Sequence, residues 1–182
     1  VESSLWVGLL LIAVLVLVLY AVVGTIARLL ASPGSVRFWA TARQRRQAAR
    51  LTNRGLISYI EGDWRKSRRA LQRGAKHSAS PVFNHLMAAR ASFQLDDPEQ
   101  MRSDLEAALR EDVQSAVAVD LTQAELALQG GKFDRALTCL ERVAQRSNSP
   151  QVSRLRCKAL LGLGDWEGLA ELLPVLRRQG AL

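Results

Sequence analysis

Before Arg28 the chain has no lysine or arginine at all, and between Glu2 and Arg28 it has no charged residue of either sign. Aromatic residues make up only 5% of the 182, and β-branched runs stop near residue 30, so an all-β fold is excluded. Two cysteines, Cys139 and Cys157, are too few for a disulfide scaffold and lack the spacing of a zinc site. No Ser/His/Asp set, paired-carboxylate site or phosphate loop emerges, so the chain reads as a non-enzyme. With 48% hydrophobic residues it is not a disordered chain either.

What is present is sharply divided along the chain. Residues 28–76 carry thirteen Lys/Arg against only Glu61 and Asp63, whereas residues 77–182 hold twelve basic and fourteen acidic side chains. The overall charge of +8 therefore lies beside the neutral segment and is not spread over the molecule. Leu5 to Ala27 is a run of Leu, Val and Ile interrupted only by Tyr20 and Thr25 as polar side chains. As a helix its residues rise about 1.5 Å each, roughly 34 Å in all, enough to cross a ~30 Å hydrocarbon core. A cleaved signal peptide fits less well, because it needs a basic start and a shorter apolar run. All the nearby arginines follow the run, so the positive-inside rule places the remainder in the cytoplasm and the N-terminus outside. Val1 in place of Met suggests that more chain precedes it.

Ser32-Pro33-Gly34-Ser35 reads as a break, followed by a basic helix from about Val36 to Glu61. The rest is helical in pattern and punctuated by Gly62-Asp63-Trp64, Asp96-Asp97-Pro98, Gly131-Lys132-Phe133 and Gly164-Asp165-Trp166. The third positions of these turns are 34, 35 and 33 residues apart. A period near 34 with a turn between two helices is the signature of tetratricopeptide repeats. Ser67, Met101, Ala136 and Leu169 follow each turn by three positions, and Leu71, Leu105, Leu140 and Leu173 by seven, marking one inward face. Ser80-Pro81 and Ser149-Pro150 read as helix starts with serine caps. Pro174 should kink or shorten the last helix. The expected fold is all-α: a loop end at 1–4, a transmembrane helix at 5–27, a basic region with the first repeat helix at 28–61, and four repeats over 48–182. No polar capping helix closes the array, so repeats are expected to continue.

The order of these parts, with Glu61-Gly62-Asp63-Trp64, Pro81-Val82-Phe83-Asn84-His85-Leu86-Met87-Ala88-Ala89 and Trp166 to Pro174, resembles the HemY family. These are inner-membrane tetratricopeptide proteins of Gram-negative bacteria associated with haem biosynthesis. The resemblance covers the whole chain, and its most specific piece is the Pro81–Ala89 block, where His85 replaces a more usual tyrosine. It implies two membrane helices, of which this chain holds the second, residues 1–4 as the end of a periplasmic loop, and a role in a late step of protohaem synthesis. It brings no catalytic motif. No Gly-x-Gly-x-x-Gly follows a strand, so no flavin site is expected despite an unrelated flavoenzyme of the same name.

His77 and His85 are the only histidines. Either one serves as an axial haem ligand, or His77 is solvated at a helix end while His85 packs as an aromatic substitute; tyrosine in the family favours the second. Cys139 and Cys157 fall on helices expected to touch, yet free cysteine is most simply a small buried hydrophobe. Arg28, Arg37, Phe38, Trp39, Arg43, Arg45, Arg46 and Arg50 are expected at the membrane surface, each arginine contributing about 1 kcal/mol near anionic headgroups. Nucleic acid is the weaker reading, because no aromatics interleave the arginines. The repeat phase points Arg90, Glu125, Arg154 and Lys158 into a partner groove floored by Tyr59, Phe83, Leu86 and Leu121. The expected function is a membrane-tethered scaffold that binds partner proteins, among them late haem-pathway enzymes. A direct haem or porphyrin carrier and a general membrane-complex assembly factor are the alternatives.

Overall fold

The computed structural model describes residues 13–23, 33–147 and 149–180, with side chains omitted for 33–40. It divides into two compact units, Val1–Gln44 and Arg45–Leu182. Among the described residues there is no strand, and every regular element is helical.

In the first unit, α1 (residues 13–23) is a helix whose side chains are all exposed. The eleven described residues of this helix rise roughly 16 Å. Among the described residues no helix is long and apolar enough to cross a membrane. The remaining positions of the expected span at 5–27, and the expected loop end at 1–4, lie outside the described residues. α2 (Pro33–Ile60) begins earlier than the sequence suggested. Pro33 opens the helix instead of interrupting the chain, since the N–H it lacks would have no intrahelical partner there.

The second unit is a run of helix–turn–helix pairs. The end of α2 pairs with α3 (Trp64–Ala75), α4 (Pro81–Gln94) with α5 (Pro98–Glu111), α6 (Ala116–Gln129) with α7 (Phe133–Ala144), and α8 (Pro150–Leu163) with α9 (Trp166–Arg178). The turns fall where the sequence punctuation placed them. Gly62, Gly131 and Gly164 adopt left-handed φ values of +81°, +68° and +70°, which cost glycine nothing. The side chains of Asp63, Asp97 and Asp165 then accept hydrogen bonds from the N–H groups of Lys66, Gln100 and Gly168, capping the second helices. Ser149 caps α8 in the same way, but Ser80 does not cap α4: its own N–H donates to Ser78 Oγ at 3.1 Å.

Each pair packs on the next. One cluster joins α4, α5 and α6 through Ala89, Leu105, Ala108 and Val119. A second joins α6, α7 and α8, with Ala124, Ala136, Leu140 and Val152 among its members. A third joins α8 and α9 through Leu160, Leu172 and Leu176. Alanine at so many contact points lets the helices approach closely. The inward face expected seven positions after each turn holds at Leu71, Leu105 and Leu140, all buried, but not at Leu173, which is 36% exposed. α9 is the last described helix, so it packs on one neighbouring pair only, and its buried face centres on Leu172 and Leu176. Pro174 neither ends nor shortens α9, which runs on to Arg178. The carbonyl that loses its helical partner to the proline belongs to Ala170, an exposed residue open to solvent.

Candidate functional site

The first helices of successive pairs touch directly, α4 on α6 and α6 on α8, which gives them a common face. This face brings together three of the residues assigned to a groove. Arg90 of α4 forms an ion pair with Glu125 of α6, both about three-quarters buried. Glu125 and Lys158 of α8 line one cleft of about 240 Å³, with Leu128 and Leu155 between them. Arg154 is exposed on α8, and Phe83 is 45% exposed on α4.

The other expected floor residues also make packing contacts. Leu86 packs with Val82 and Met101 against the α4–α5 cluster, and Leu121 packs against the α6–α7–α8 cluster. Tyr59 meets Trp64 edge to face, ring centroids 4.8 Å apart, across the first turn. Arg43, Arg45, Arg46 and Arg50 are exposed along α2. The side chains of Arg37, Phe38 and Trp39, and all of Arg28, lie outside the described residues.

His77 is exposed just past α3. His85 is half-buried in α4, and its Nδ1 is buried without a hydrogen-bond partner. Its charge acts on Asp104, a carboxylate only 3% exposed at the centre of a polar cluster. Gln72 Nε2 of α3 and Ser92 Oγ of α4 donate to that carboxylate at 2.8 and 3.0 Å. Burial pushes the Asp104 pKa above the ordinary carboxylate range despite these bonds and the His85 field. Asp97 behaves oppositely: the Arg68 guanidinium, 2.7 Å away, and the Gln100 N–H hold its carboxyl below the usual value.

Cys139 is 2% exposed, and burial raises its thiol pKa although Arg142 lies beside it. Cys157 is half-buried on α8, packed on the α8–α9 cluster. A thiol-specific reagent should therefore label Cys157 about tenfold faster than Cys139, because reaction needs an accessible thiolate. Peptide mapping after timed labelling checks this, and equal rates would contradict it.

One feature of the surface escaped the sequence reading. Arg54 at the end of α2 and Arg65, Lys66, Arg69 and Arg73 of α3 line a single cleft of about 440 Å³, relieved only by Asp63. The signal was the basic composition of α3, four of whose five cations converge with Arg54 of α2 here while the fifth, Arg68, pairs with Asp97. Among the described residues no group of three or more His, Cys, Asp or Glu is placed to hold a metal.

A family profile described as "HemY protein N-terminus" matches residues 1–96, from the apolar run through the Pro81–Ala89 block. The chain belongs to the HemY family. It is 27% identical over 180 residues to Protein HemY of Escherichia coli strain K12, and equally to those of Escherichia coli O157:H7 and Shigella flexneri. These alignments cover 98% of this chain and 45% of each relative, so the chain spans just under half the length of the HemY proteins it matches. No solved structure matches it. Membership in the HemY family agrees with the resemblance read from the turn and helix-start motifs.

Proposed function

We propose that this chain is the membrane-tethered portion of a non-enzymatic scaffold that serves haem biosynthesis by holding a partner protein along its first helices. The single observation that carries this reading is the face on which α4, α6 and α8 meet, lined by Arg90, Glu125 and Lys158 around an amphipathic cleft. Four helix pairs at a period near 34 support a tetratricopeptide-type solenoid, in which such a face receives an extended segment.

The tether is the apolar run at 5–27. Its described part, α1, exposes Leu15, Leu17, Leu19 and Tyr20 at 65% or more, a surface suited to lipid rather than water. The arginines of α2 and the basic cleft of α3 then lie against anionic headgroups on the cytoplasmic side of the inner membrane. The first unit anchors and the second binds.

Affinity capture from membranes tests the proposal. The wild-type chain should recover a terminal haem-pathway enzyme, and a variant carrying Arg154→Glu and Lys158→Glu should recover about tenfold less, as expected when two charges of a binding face are reversed. Both side chains are exposed, so the fold is preserved. Recovery of no such enzyme, or equal recovery by the variant, would overturn it.

A further inference from the structure

The second turn departs from the other three at two places. Where they have glycine it has Asp96, at φ +52°, the sole non-glycine residue of positive φ among the described residues. A side chain held in this sparsely populated region is strained, and such strain gathers at functional positions. Where the other turns have Trp64, Phe133 and Trp166, it has Pro98.

Phe133 shows what the turn aromatic does. Its ring lies flush on α8 at Gly162, leaving no room there for a Cβ. Gly162 follows Phe133 by 29 positions, and Ala127 follows Pro98 by the same number. At the place so defined, with Pro98 and Ala127 both in its walls, the structure has a cavity of about 260 Å³. Phe93, Met101 and Leu126 complete its apolar floor. An apolar cavity of about 150 Å³ already admits a benzene ring, so this one admits a phenylalanine or tryptophan side chain.

The rim supplies a charge preference. Lys132 and Arg135 stand at the start of α7, where the helix dipole is also positive, and neither is ion-paired among the described residues. Of the two rim carboxylates, Asp97 is already held by Arg68, leaving Asp96. The unsatisfied balance is basic.

We propose that this cavity is a socket for an aromatic side chain, flanked by an acidic residue, presented by a partner polypeptide. The aromatic takes the place that Phe133 fills in the next pair, and the acidic neighbour meets Lys132 and Arg135. The inference rests on the partner-binding reading above but uses a different cleft, lined by the α4–α5 turn, the end of α6 and the start of α7.

The test is titration of the full chain in detergent with the peptide acetyl-Glu-Trp-Glu-amide, followed by amide shifts in NMR. Shifts centred on Phe93, Leu126, Ala127 and Gly130 are expected, with acetyl-Glu-Ala-Glu-amide giving none. Pro98→Phe supplies the ring from within the chain and should abolish binding. Lys132→Glu with Arg135→Glu, at two exposed positions, should weaken it about tenfold. No shifts at millimolar peptide, shifts centred elsewhere, or unchanged binding by both variants would overturn the socket. Capture of the haem-pathway enzyme by the same Pro98→Phe chain shows separately whether the first-helix face still works.

Discussion

Replacing Gly74 by alanine should destabilise the repeat region by about 2 kcal/mol, although the same change in an ordinary exposed helix stabilises it by about 1 kcal/mol. Gly74 is buried in α3 where α2 and α4 converge. A Cβ there would meet Asn84 Nδ2 at 2.9 Å, Thr52 Oγ1 at 3.0 Å and the Thr52 backbone nitrogen at 3.2 Å. The first two atoms are not free to yield. Asn84 is fully buried, and its amide donates to Thr52 Oγ1 at 2.8 Å and to the Leu71 carbonyl at 3.3 Å. Thr52 Oγ1 in turn donates to the Ala48 carbonyl at 3.0 Å.

Relieving the clash therefore means either separating helices, at roughly 1–3 kcal/mol for overpacking, or breaking a buried hydrogen bond, at roughly 1–3 kcal/mol for the orphaned group. Either exceeds the propensity gain. Urea unfolding of the two proteins measures the difference. Combining Gly74→Ala with Thr52→Ala, which removes Oγ1, should cost less than the sum of the single changes, because the two sites share one contact. A Gly74→Ala protein as stable as wild type would show that the three helices are not packed this closely.

Asn84 also illustrates what the sequence could convey. It belongs to the Pro81–Ala89 block that carries the family resemblance, yet nothing in the string distinguishes a buried amide joining three helices from a ligand-binding one. The turns were legible because their requirements are local: a left-handed residue, a capping carboxylate, an aromatic at the next position. Helix boundaries followed from them. Contacts between pairs were less legible, because they depend on which face a long-range neighbour covers. Leu86 and Leu121 were expected along the groove on repeat phase, which does not convey that both, half-buried, also pack against interhelical clusters. Arg90 and Glu125 were assigned to the same groove as separate positions, and the structure pairs them across α4 and α6. Pro98 marks a turn in the string; that its side of the turn holds a cavity depends on α6 and α7, some thirty residues away.

Asp104 should make the protein lose stability as the pH rises from about 4, the reverse of the usual carboxylate effect. Burial raises its folded-state pKa above the ordinary value of 3.8, so between those two values the folded chain binds more protons than the unfolded one. Its contribution is fully present below the unfolded pKa and is lost as pH climbs through the folded one. Asp97, held low by Arg68, contributes with opposite sign: stability present above its unfolded pKa and lost in acid. The two must therefore be separated by substitution. In Asp104→Asn the amide oxygen still accepts from Gln72, and the amide N–H₂ can donate to the Ser92 hydroxyl, so the cluster stays satisfied without a buried charge. This variant should be at least as stable as wild type at pH 7, and its stability should lack the decline above pH 4. Asp104→Ala should instead cost about 2–3 kcal/mol, since it leaves the Gln72 amide and Ser92 hydroxyl without their acceptor and opens a void. Denaturant midpoints taken across pH 4 to 8 resolve the three proteins. A wild-type decline that persists unchanged in Asp104→Asn would show that Asp104 is not its source.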